Sequence, residues 1–253
     1  HRPGRRHVNW EALDAQILLP ALAAGLIVTA THVPLGIQVL NRGIVFIDLA
    51  IAQIAALGVL AAGSIGLEPE GMAVQLAALT AALIGAAIFA WSEKRWPEVQ
   101  EATIGVAFIV AASASILLLA GNPHGGEHLR DLLAGQILWV SRDALMSSAT
   151  ITAIILALWF ALKKWWGFYV LFACAVTLAV QLVGLYLVFA TLIVPALATR
   201  RFTRNRLPAA YVVAASSYLI GLVISTLTDL PSGAVIVCVM PAIGAFVALA
   251  APR

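Results

Sequence analysis

WWGFYVLFACAVTLAVQLVGLYLVFATLIVPALAT, residues 165–199, runs for 35 residues without an Asp, Glu, Lys or Arg. As one α-helix it would be about 52 Å long at 1.5 Å per residue. A bilayer's hydrocarbon is roughly 30 Å thick, so a single helix of that length would need a large tilt. Gly184 interrupts the run inside VQLVGLY, and Pro195 disturbs its second half. The stretch therefore reads as two helices, 165–183 and 185–199. It lacks the period-two alternation of a membrane β-strand, which excludes a closed barrel.

The flanking sequence is of the same kind. Stretches 16–41, 71–92, 102–126, 144–162, 207–228 and 230–252 carry no charged side chain, and 43–67 is interrupted only by Asp48. Charged residues make up 11% of the chain and apolar residues 62%, with a mean hydropathy of +0.99. A water-facing globule of this size could not hide that much apolar surface, so a soluble enzyme or nucleic-acid-binding module is excluded. The expected fold is all-α, a polytopic membrane helix bundle of eight to nine transmembrane segments. Nine are assigned, at 16–37, 43–66, 71–91, 102–120, 144–162, 165–183, 185–199, 208–228 and 232–251. Residues 121–143 form an external connection whose apolar middle, LLAGQILWV, is too short to span and reads as a re-entrant or interfacial helix. Residues 1–15 are a polar lead-in rather than a cleaved signal, and 16–253 form one transmembrane domain.

Short loops set the orientation. RRFTRNR, residues 200–206, holds four arginines and no acid, which places it in the cytoplasm. Alternation puts Arg42, Lys94, Arg95, Lys163, Lys164 and Arg253 on that side too, ten basic residues against five opposite. The N-terminus is then external and the C-terminus cytoplasmic. The basic residues sit in these loops, so the pI near 9.1 does not point to nucleic acid. Cys174 and Cys238 lie inside apolar runs and read as small packing residues.

Few residues could carry chemistry. Asp48 is the only formal charge inside an assigned span. A carboxylate in a membrane borders a polar cavity or a partner; the alternatives are a pathway role, or capping the helix and pairing with Arg42. Gln53 follows five residues later, about 140° around a regular helix, so the two share no tight face. His32 in TATHVPLG is either a transition-metal ligand or a hydrogen-bonded imidazole, and Pro34 with Gly36 predict that the helix ends or kinks there. His124, Glu127 and His128 in the external connection have a spacing that suits zinc on a helix, but Gly125-Gly126 argues for a turn and a solvated loop. The acids at 68, 70, 98 and 101 read as solvated helix ends. There is no Walker-type phosphate loop and no catalytic triad or dyad in a recognisable setting, so the chain reads as a non-enzyme.

Five segments together resemble the permease subunits of ATP-binding-cassette importers for zinc, manganese or iron. They are PLGIQVLNRGIVFIDLAIAQIAALGV (34–59), EATIGVAFIVAASAS (101–115), LRDLLAGQILWVSRDAL (129–145), QLVGLYLVFATLIVPALATRRF (181–202) and DLPSGAVIVCVMPAIGAFVAL (229–249). The resemblance implies a fold like the vitamin B12 and siderophore permeases. It further implies a homodimer in the cytoplasmic (inner) membrane, in contact with lipid, around a central pathway. A separate ATPase would bind ATP below, and a periplasmic or surface metal-binding protein would deliver the divalent metal from outside, zinc first among the three. Asp48, Gln53 and His32 are the expected pathway residues. Arg42, Lys94, Arg95, Arg200 and Arg201 are the candidates for ATPase docking, and no cofactor is covalently bound.

Two departures from the family pattern stand out. Relatives carry an Asp and a His four apart on the second helix; here Leu49 and Gln53 hold those positions, and Asp48 is one residue early. Relatives also have a cytoplasmic segment of roughly two dozen residues after the fifth span, far longer than an ordinary connection. Here that link is ALKKWWGF. These departures keep two other readings open: a non-coupled assembly or scaffold subunit, and an ion-driven secondary transporter using one buried carboxylate.

Overall fold

The computed structural model describes residues 15–67, 71–119, 137–161 and 165–250. Among them are nine helices: α1 (Ala15–Arg42), α2 (Ile47–Ser64), α3 (Met72–Arg95), α4 (Gln100–Leu119), α5 (Arg142–Ala161), α6 (Trp165–Val183), α7 (Leu185–Ala198), α8 (Arg206–Thr228) and α9 (Ser232–Ala250). Seven are long and apolar enough to cross a bilayer; α6 and α7 are shorter apolar helices. No strand occurs among the described residues. The chain is a polytopic helical bundle, as the charge-free runs predict.

The break at 184 is where the length argument puts it. Gly184 has φ 85°, a conformation that costs glycine nothing and an L side chain a good deal. The fourteen residues of α7 span about 21 Å, short of a full crossing. Ten of them are buried, so other helices rather than lipid surround this segment. α1, α8 and α9 pack against α7, while α3, α2 and α5 pack against α6. One apolar core gathers Ile47, Ile51, Phe89 and Phe172; a second gathers Val28, Val188, Tyr218 and Ile236. By contrast α4, α5 and α9 expose Ile109, Leu117, Ile154, Phe246 and Leu249. In a bilayer such faces meet apolar acyl chains or another apolar helix, with no loss of hydration.

The first helix corrects an expectation. It does not end near 37 but runs through Pro34 to Arg42. A helical proline leaves the carbonyl four residues back without its N–H, and in lipid that orphan must be satisfied from elsewhere. Here the Tyr211 hydroxyl of α8 donates to the Ala30 carbonyl at 3.0 Å. Gly36 lets the helix continue in close contact with α7, for a Cβ there would run into the Leu192 carbonyl oxygen. α1 stops at Gly43 instead, whose φ is 71°. The Ile44 N–H donates to Val39 O and the Gly43 N–H to Leu40 O, both at 3.3 Å; this paired 6→1 and 5→2 pattern closes a helix on a glycine. Residues 43–46 are therefore turn, and α2 starts at Ile47 rather than 43. Most of the expected external helix lies outside the described residues; Ile137–Trp139 forms one 3-10 turn with Ile137 buried.

Candidate functional site

Asp48 sits in the first turn of α2 and is completely enclosed by its own chain, with no exposed surface. Neither carboxylate oxygen makes a hydrogen bond. An uncompensated buried carboxylate is among the costliest groups a fold can hold. The Arg42 alternative does not hold. Arg42 pairs with Glu93 at 3.4 Å, and its guanidinium lies 4.2 Å from the centre of the Phe168 ring, so its charge is taken up by α3 and α6. Nor does Asp48 cap its helix. Phe46 is the N-cap and makes no side-chain cap; its N–H donates to Glu101 Oε1 of α4 at 3.3 Å. Glu101 is thus not the solvated helix end expected of it, and its Oε2 is buried without a partner.

Gln53, also buried, donates from Nε2 to Ser115 Oγ of α4 at 3.4 Å. Ser115 in turn donates to the Ala111 carbonyl at 2.9 Å. α2 is helical without interruption from Ile47 to Ser64, so no bulge turns Asp48 and Gln53 to one side.

His32 is completely buried. Its Nδ1 lies 3.0 Å from the Val28 carbonyl, which can only accept, so the proton is assigned to Nδ1. Nε2 then carries a bare lone pair, buried and without a partner. Gly25, Thr29, His32 and Gly36 fall within about 60° of one face of α1. Along that face a Cβ at Gly25 would overlap the Tyr218 ring and one at Gly36 the Leu192 backbone. His32 therefore faces the seam where α7 and α8 meet α1.

These residues lie at different depths. Asp48 is one residue into α2, Gln53 six, and His32 ten residues before the end of α1. At 1.5 Å per residue that is about 2, 9 and 15 Å from one end of the bundle. They stand at successive heights along the bundle rather than in a single coordination sphere. Among the described residues no three His, Cys, Asp or Glu side chains converge. His124, Glu127 and His128 lie outside the described residues.

The basic loops gather at one end. The Arg42–Glu93 pair joins the ends of α1 and α3, and Arg206 Nη1 donates to Asn41 Oδ1 at 3.2 Å, joining α8 to α1. Arg42 is committed within the chain. Lys94, Arg95, Arg200 and Arg201 are exposed, the last two beside Ala198, Ala248 and Leu249 in a shallow hollow between α7 and α9.

A model of the ABC 3 transport family matches residues 14–171 and 163–251. The chain is 27% identical over 269 residues to the manganese transport system membrane protein MntC of Halalkalibacterium halodurans, covering 96% of this chain and 90% of that one. Among solved structures it superposes on PsaBC from Streptococcus pneumoniae in complex with Fab, with a TM-score of 0.73, 21% identity, and 91% and 90% of the two chains covered. It also superposes on an inward-facing metal-chelate type ABC transporter, with a TM-score of 0.64, 15% identity and coverage of 98% and 93%.

Proposed function

This chain belongs to the ABC 3 transport family, and from that premise we propose that it forms the membrane path of an importer for a divalent transition metal. Two copies would enclose the path, with a separate ATPase at the basic, cytoplasmic end and a metal-binding protein at the other. ATP binding and hydrolysis would shift the pair between outward-open and inward-open states, which requires different contacts to the cargo in each. The observation that carries this reading is Asp48: a carboxylate with no exposed surface and no hydrogen bond, on the second helix of a chain in this family. It is enclosed in the present conformation, so the path opens to it only when α2 and its neighbours move.

The donor set bears on the metal. The sequence reading puts zinc first. The carboxylate of Asp48 and the amide oxygen of Gln53 are oxygen donors, however, and Gln53 stands where relatives have an imidazole. Oxygen donors suit manganese better than zinc, which favours nitrogen and sulfur. The manganese transporter among the relatives supports the same order. Among the described residues, His32 Nε2 is the histidine nitrogen left without a partner.

The scaffold reading is favoured by a different observation. α5 ends at Ala161 and α6 begins at Trp165, so only three residues separate them. The test is reconstitution of the purified complex into proteoliposomes. ATP-dependent uptake of radioactive manganese, with hydrolysis stimulated by this chain, is the expected result. A chain that retains no ATPase and moves no metal would support the scaffold role instead.

A further inference from the structure

We propose that the α3–α4 turn, residues 94–99, is the surface through which the partner ATPase drives this chain; the inference rests on the transporter reading above. The basic end offers four connections. The one between α5 and α6 is three residues long and reaches about 10 Å at full extension, too little to present a lever. The match to the family model falls into two pieces that meet at this point, residues 163–171. The alignment with the manganese relative covers about 243 residues of this chain (96% of 253) across 269 positions. About 26 positions of that alignment therefore fall opposite gaps here.

The α3–α4 turn is exposed at every residue from Lys94 to Val99 and closes in a 3-10 turn over Pro97–Val99. It is also stiff. Buried Ser92 donates to Gln100 Oε1 at 2.6 Å, and Gln100 Nε2 donates back to the Phe89 carbonyl at 3.1 Å. The Trp96 N–H closes onto Ser92 O at 2.7 Å, and the Trp91 and Trp96 rings meet edge to face at 4.9 Å.

What distinguishes this turn is where its stems are tied. Glu101, just after it, takes the Phe46 N–H at the start of α2, two residues before Asp48. Glu93, just before it, holds Arg42 of α1 and accepts the Tyr169 hydroxyl of α6 at 2.8 Å. A push on the turn thus reaches α1, α2 and α6 together. The α7–α8 connection shows a weaker arrangement: through Arg206 the 200–205 loop is held to Asn41 of α1 and the Ala196 carbonyl of α7, and among the described residues no such bond joins it to α2. The turn's mixture of Lys94, Arg95 and Glu98 with Trp96 and Val99 fits a protein face. Lipid headgroups would be served by basic residues and tryptophans alone, and Glu98 opposes them.

The test uses the full chain co-expressed with the ATPase that purifies with it. Glu98→Arg combined with Val99→Asp should weaken ATPase association by roughly tenfold or more, while the permease stays monodisperse. Glu93→Gln should keep the ATPase bound and hydrolysing but lower manganese uptake per ATP. A photo-crosslinking amino acid at position 99 should form an adduct with the ATPase in the intact complex. A tip variant with undiminished association, or only lipid adducts from position 99, overturns the proposal. A wild-type chain that binds no ATPase at all overturns the transporter reading and this one with it.

Discussion

α7 and α2 lie deep in the bundle, and they treat their polar side chains in opposite ways. On α7, buried Thr191 donates to the Leu187 carbonyl at 2.7 Å and shares a 2.8 Å contact with the Tyr218 hydroxyl of α8. The buried Thr191 hydroxyl is thus engaged on both sides, and the helix serves as a packed axis. On α2, Gln53 is bonded to Ser115, but Asp48, six residues after Arg42, has no hydrogen-bond partner. The same chain thus satisfies polar groups that hold helices together and leaves open one that holds nothing. Structural polarity and unused polarity can be separated by substitution.

The largest effect is expected on the packed side of the comparison. Gly36→Leu forces α1 away from the Leu192 backbone, and overpacking of this kind should cost about 3 kcal/mol or more; thermal unfolding in detergent should show a lower transition and a poorer yield of monodisperse protein. On the open side the sign reverses. Asp48→Val removes an unpartnered buried carboxyl and should stabilise the chain by about 2 kcal/mol, raising the same transition. Tyr211→Phe leaves the Ala30 carbonyl at the Pro34 gap uncapped and should cost about 1.5 kcal/mol. Its effect should vanish in a Pro34→Ala background, where the backbone N–H returns. Thr191→Val should be the mildest, about 0.6 kcal/mol, the usual worth of a hydrogen bond between membrane helices, with transport unchanged.

What could be read from the residues alone follows from range. The split at Gly184 was legible because 35 charge-free residues exceed one crossing and only one glycine lies near the middle. Asp48 was legible because it is the lone charge in a span. The fate of Pro34 was not: the hydroxyl that fills its gap comes from Tyr211, 181 residues beyond the carbonyl it caps. Arg42 looked free to meet Asp48 six residues on, yet its partner is Glu93, 51 residues away. Glu101 looked solvated because the first turn of a helix is an ordinary place for an acid; the α2 amide it serves is 55 residues distant. Local pattern gives element type and the cost of a buried charge, whereas the partner of each polar group is set by packing.

The most direct measurement is ATP-driven manganese uptake by proteoliposomes holding the Asp48→Val variant and its ATPase, beside wild type, with equal amounts of assembled complex. The account predicts a variant that is more resistant to heat, still binds its ATPase, and moves no metal. Uptake at the wild-type rate from that better-folded chain would contradict it, because the acid would then lie off the route that the cargo takes.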